Sequence, residues 1–83
     1  MNVHVKFNSS ELAGKLRSGE YSLPDRSTIY DLIEVARQEA EVVISEELRG
    51  NLVFLLNDRH AAIDTMLSDG SKLRVLHKVL GGA

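Results

Sequence analysis

The chain has 83 residues, 43% apolar and 27% charged, with ten Lys or Arg against twelve Asp or Glu and a formal net charge of −2. That length carries one small hydrophobic core and no second one, and the composition is that of a folded domain. The absence of cysteine excludes a disulfide framework, a thiolate zinc site and a cysteine nucleophile. The basic residues are scattered and form no stripe for nucleic acid. No apolar run reaches the length of a signal peptide or a membrane span, so the expectation is a cytoplasmic protein that engages neither nucleic acid nor membrane.

Val3, Val5 and Phe7 alternate with His4 and Lys6, the period of a half-buried strand. The stretch from Leu12 to Gly19 has no clean period. Glu20 to Leu23 reads as a short second strand, stopped by the single proline, Pro24. Ser27 and Thr28 offer an N-cap, and Asp31 suits the positive end of a helix. Ile29, Leu32, Ile33, Ala36, Ala40 and Val43 recur at spacings of three and four, one apolar stripe along a helix whose other side carries Glu34, Arg37, Gln38, Glu39 and Glu41. The charged segment from Ser45 to Gly50 reads as a further turn of helix or a loop, with Glu46 and Glu47 on a solvated face.

Leu52 to Leu56 is a continuous apolar run and predicts a central strand covered on at least one face. Asn57 to His60 predicts a turn into a short strand over 61–63, Asp64 to Ser68 a single helical turn, and Asp69-Gly70 a tight turn. In the last strand Leu73, Val75 and His77 face inward, leaving Arg74, Leu76 and Lys78 outward. One helix across a mixed sheet of four to five strands, an α+β architecture, then buries Val3, Val5, Phe7, Ile29, Leu32, Ile33, Ala36, Phe54, Leu56, Leu73 and Val75 in one core. Residues 1–80 form this single domain, and 81–83 form a flexible tail.

Gly81-Gly82-Ala83 follows the last strand, and two glycines there lose backbone entropy on ordering and pack no side chain. Such a tail is either a frayed end or a segment kept thin so that it can enter another protein's active site. The residues Asp64-Thr65-Met66-Leu67-Ser68-Asp69-Gly70, the strand after them, and Val79-Leu80-Gly81-Gly82 together resemble the C-terminal signature of the ubiquitin-like sulfur carriers, the MoaD-like and ThiS-like proteins. The apolar strand and Asn turn from Leu52 to Asn57 belong to the same pattern. The match is good over the last third of the chain, while the first two thirds agree in element order and length.

The resemblance implies a β-grasp, ubiquitin-like fold and a carrier that is not itself an enzyme. Its working group is the carboxylate of Gly82, presented by Gly81 and Gly82. A partner adenylating enzyme uses ATP to convert that carboxylate to an acyl-adenylate, the carrier binding no cofactor of its own, and a persulfide displaces AMP to leave a thiocarboxylate. A sulfur-accepting synthase subunit, of the molybdopterin type by chain length, then uses the sulfur. Ala83 departs from the family pattern: it is removed, tolerated, or evidence against the carrier role, and trimming by a protease after Gly82 is the preferred account. His77-Lys78 stands where molybdopterin-type carriers tend to have a proline pair. Extended, the four steps from Lys78 to Gly82 reach about 13–14 Å. Leu76, Val79 and Leu80 form an apolar strip leading to the tail and are the expected partner contacts.

Other candidate chemistry is thin. His4, His60 and His77 are scattered with no i, i+4 pairing and make no metal-ligand pattern. Asp64 and Asp69 sit in turns, where Asp caps backbone N–H groups, so they read as turn residues rather than an acid–base pair. No glycine-rich phosphate loop is present. The competing reading of the chain is a β-grasp interaction domain with an incidental Gly-Gly tail.

Overall fold

Alternation in the first strand is realised in a computed structural model of the protein, which describes residues 1–78, with the backbone alone at 10 and 11. β1 (Asn2–Phe7) sends Val3, Val5 and Phe7 into the core and leaves His4 and Lys6 in solvent. It returns through a short helix, α1 (Ser10–Ala13), to β2 (Gly19–Ser22), which pairs antiparallel with it and places Tyr21 opposite Val3. Helix α1 was not expected from the residues of that stretch. Leu12 and Leu16, with no regular period around them, are both buried and close one end of the core.

The long helix, α2 (Ile29–Ala40), begins where the cap predicts. Thr28 accepts from the Asp31 N–H at 3.2 Å while the Asp31 carboxylate accepts from the Thr28 N–H at 2.9 Å, a reciprocal capping box. Ile29, Leu32, Ile33 and Ala36 are buried against the sheet. The helix stops one turn early, because Glu41 adopts the left-handed conformation at φ 56° and its N–H bonds back to the Arg37 and Gln38 carbonyls. The chain therefore swings away, Val43 is 89% exposed, and Ile44 replaces it in the core. Placing Val43 on the buried stripe is thus corrected by the position of the helix end.

A five-residue helix, α3 (Glu46–Gly50), capped by Ser45, leads into β3 (Leu52–Leu56). The link to β4 (Arg59–Ala61) is a two-residue turn, Asn57-Asp58, with both residues at positive φ, 50° and 67°. This is the turn geometry whose twist suits a hairpin. The fourth strand consequently starts at Arg59, earlier than the 61–63 expected. The segment after it is not a helical turn either. Thr65 donates to the Ala62 carbonyl and its hydroxyl accepts from the Ala62 N–H, and the chain then bridges through Met66 to Thr28 beside the start of α2.

β5 (Lys72–His77) completes a five-stranded mixed sheet in the order β2-β1-β5-β3-β4, parallel to β1 and antiparallel to β3. Helix α2 covers one face, and the other is open. Ten of the eleven predicted core residues are buried; Leu56 is half-buried and packs at the core's margin. Leu12, Leu16, Tyr21, Leu23, Ile44 and Leu67 join them. Among the described residues no helix is long and apolar enough to cross a membrane.

Candidate functional site

Everything expected to carry function lies at or beyond the end of β5, and the fold holds that strand on both sides. At its start the Asn57 side chain accepts from the Lys72 N–H at 2.9 Å while the Asn57 N–H donates to the Lys72 carbonyl at 2.8 Å. The preceding turn is tied to β1: Asp69 accepts from the Asn2 N–H at 2.7 Å, and Gly70, at φ 82°, donates to the Asn2 carbonyl at 2.7 Å. Asp69 thus serves the turn, as its context implied. Gly70 is at this position because a side chain there would be strained.

At the far end, Leu76 stands opposite Val53 and His77 opposite Leu52. The Lys78 N–H donates to the Asn51 carbonyl at 2.6 Å, just after α3. On the other flank the Asn8 N–H donates to the Val75 carbonyl at 2.8 Å. The base of the tail is therefore pinned between β1 and β3 at one rim of the sheet. Leu76 is half-buried on the open face rather than standing free. His77 is half-buried on the covered side, as its parity requires. The expected working and partner-contact residues Val79, Leu80, Gly81, Gly82 and Ala83 lie outside the described residues.

Two surfaces adjoin this rim. One is a shallow groove of about 560 Å³ between α2, α3 and the β3–β4 hairpin, lined by Tyr30, Arg49, Leu52, Phe54, Ala61 and Ile63. Arg49 of this lining belongs to an ion cluster in which Glu34 accepts from Arg37 on its own helix and from Arg49 of α3 at 3.3 Å. The Arg49 guanidinium also lies 5.1 Å from the centre of the Tyr30 ring. Hydrogen bonding by Arg37 and, to a lesser degree, Arg49 holds the Glu34 carboxyl below its ordinary value, outweighing the opposing effect of burial.

The other surface is the open sheet face. There β1 and β5 present His4, Lys6, Lys72 and Arg74, while Val53, Leu55 and Leu76 supply half-buried apolar area beside them. Alternation along each strand was visible in the residues. Their assembly into one patch was not, because it depends on the parallel pairing of the first and last strands. Among the described residues, no group of three or more His, Asp or Glu side chains is placed to hold a metal ion.

No protein-family model and no curated protein matches the chain. Solved structures do. Small archaeal modifier protein 1 from Haloferax volcanii superposes with a TM-score of 0.75 at 21% identity, covering 99% of this chain and all of the other. The Pyrococcus furiosus protein assigned as molybdopterin converting factor subunit 1 gives 0.71 at 28% identity, covering 95% and 99%. Subunit 1 of the Helicobacter pylori molybdopterin-converting factor, solved in complex with subunit 2, gives 0.55 at 24% identity, covering 99% and 100%. With its helix across a five-stranded mixed sheet, the chain has the ubiquitin-like β-grasp fold and is similar over nearly its whole length to a small archaeal modifier and to molybdopterin converting factor subunit 1.

Proposed function

We infer that the protein is a sulfur carrier of the molybdopterin type, acting in the cytoplasm with partner enzymes and performing no catalysis itself. The supporting observation is the pinned end of β5, where the Lys78 N–H donates to the Asn51 carbonyl at one rim of the sheet, immediately before the Val79-Leu80-Gly81-Gly82 sequence. In this reading Ala83 is removed and the Gly82 carboxylate attacks the α-phosphate of ATP on an adenylating enzyme, releasing pyrophosphate. A persulfide sulfur then attacks the acyl carbon and AMP leaves; a second thiol reduces the acyl persulfide, giving the thiocarboxylate and a disulfide. A synthase subunit takes the sulfur. The Helicobacter pylori complex supports such a partner for its own subunit 1.

The likeness to a modifier favours a second reading, in which an amine of a target protein, rather than a persulfide, attacks the same acyl-adenylate. Intact-mass measurement on the protein from its native cell separates these. A species ending at Gly82 with sulfur in place of one carboxylate oxygen supports the carrier. Amide-linked adducts to other proteins support the modifier. A chain with Ala83 retained and unmodified under sulfur-demanding growth rejects both and leaves the interaction domain.

A further inference from the structure

Strand β3 is paired along its whole length on the β5 side and only in part on the β4 side. Its hydrogen bonds to β5 leave from the odd positions, since the Asn51 carbonyl accepts from the Lys78 N–H at 2.6 Å and the Asn57 N–H donates to the Lys72 carbonyl at 2.8 Å. In an antiparallel ladder the main-chain groups of alternate residues point to opposite sides. Leu52, Phe54 and Leu56 therefore direct N–H and C=O toward β4. Phe54 and Leu56 meet Ala61 and Arg59 there, but Leu52 meets no strand, because β4 ends at Ala61. The chain beyond is engaged elsewhere: the Ala62 N–H donates to the Thr65 hydroxyl at 3.1 Å, and the Ile63 carbonyl accepts from the Tyr30 N–H at 2.8 Å. Among the described residues the Leu52 N–H and carbonyl have no partner.

This gap in the ladder opens into the groove between α2, α3 and the hairpin. The outer edges of β2 and β4 carry exposed Glu20, Arg59 and His60, and charged side chains there discourage pairing with other chains. Leu52 lacks that protection, and the groove around it is lined by Phe54, Ala61 and Ile63 with Tyr30 and Arg49. A residue paired with Leu52 turns its side chain to the face that Leu52 shares with Phe54. Two charges wait there. Glu46 lines the groove but is exposed. The Arg49 side chain is only 19% exposed, and its carboxylate partner, Glu34, is shared with Arg37. The less solvated charge acts through the lower dielectric and is screened less by salt, so the groove favours an anion.

We propose that the gap accepts one extended segment of another protein, which pairs through its main chain with Leu52 and sets a glutamate carboxylate beside Arg49. The main-chain groups supply the strand-like register and the side-chain groove supplies the selectivity, as in other cases of strand addition to a sheet edge. The hydrocarbon stem of that glutamate packs on Phe54 and Ile63. This site is independent of the tail and stands whether or not Gly82 carries sulfur.

The test is a titration of the ¹⁵N-labelled protein with a capped pentapeptide, threonine-valine-glutamate-valine-threonine, followed through its amide spectrum. Shifts centred on Arg49, Leu52, Phe54, Ala61 and Ile63 are expected, with slower hydrogen exchange at the Leu52 amide. Methylating the glutamate nitrogen of the peptide removes the donor to the Leu52 carbonyl and should weaken binding about fivefold or more. A lysine in place of the peptide glutamate should weaken it about tenfold, and this comparison leaves the fold untouched. Arg49→Gln should lower affinity for the glutamate peptide and leave that for the lysine peptide no weaker. Absence of shifts, shifts centred instead on Lys6, Lys72 and Arg74, or equal binding of the methylated or lysine peptide would each overturn the proposal. So would shifts of the same amides on concentrating the protein alone, which would assign the gap to a second copy of the chain.

Discussion

Asn57 shows how one side chain can serve two structural demands. It occupies the left-handed region at φ 50°, and its amide oxygen accepts from the start of the last strand. Asn57→Ala loses the hydrogen bond and strains the backbone, so unfolding in denaturant should show a loss of about 1–3 kcal/mol. Asn57→Gly should recover the conformational part, and equal loss in both variants would contradict this account. Lys6 stands opposite Arg74 across β1 and β5, and the opposed cations give a prediction of unusual sign. Lys6→Gln relieves repulsion with Arg74 and should stabilise the free protein by about 0.2–1 kcal/mol at low salt. That gain should shrink in high salt, where exposed charges are screened. A lower thermal midpoint for Lys6→Gln at low salt would show that the pair is not repulsive.

At the scale of elements, the end of α2 decides which residues matter. Ile44→Ala should cost about 2–5 kcal/mol because it empties a packed position. Val43→Ala should stay within about 0.5 kcal/mol, since its side chain is in solvent. The reverse ranking in thermal unfolding would restore the longer helix. The Glu34 cluster joins α2 to α3 and has a pH signature. The Glu34 carboxyl titrates below its ordinary value of 4.5 in the folded protein, so its stabilisation is present above that value and is lost as pH falls through the folded one. Glu34→Gln should remove this contribution, leaving a shallower acid limb in a plot of stability against pH. An unchanged limb would assign acid sensitivity to other carboxylates. The helix itself was legible because its cap and apolar stripe are local. Its C-terminus was not, since nothing in Glu41 as a residue type announces a left-handed cap.

For the molecule as a whole, the core is closed by described residues from Val3 to Val75, so deletion of 81–83 should leave the thermal midpoint unchanged; under the proposed carrier function it should also abolish activation by an adenylating partner. A large drop in the midpoint would make the tail part of the fold. The residues by themselves determined the strand alternation in β1 and β5, the capped helix, the Asn and Asp-Gly turns and the part of the core that lies on those strands and that helix. Each of these depends on a period or a turn preference that acts within a few positions. The burial of Leu12, Leu16 and Leu67 was not legible, because it comes from the distant surfaces they meet, without any periodic pattern of their own. Nor could the chain's order reveal that its first and last strands lie side by side. That pairing is long-range, forced by the crossover through α2 and the need to bury both apolar rows beneath it. It alone gathers Lys6, Lys72 and Arg74 into one patch and sets the base of the tail at one rim of the sheet.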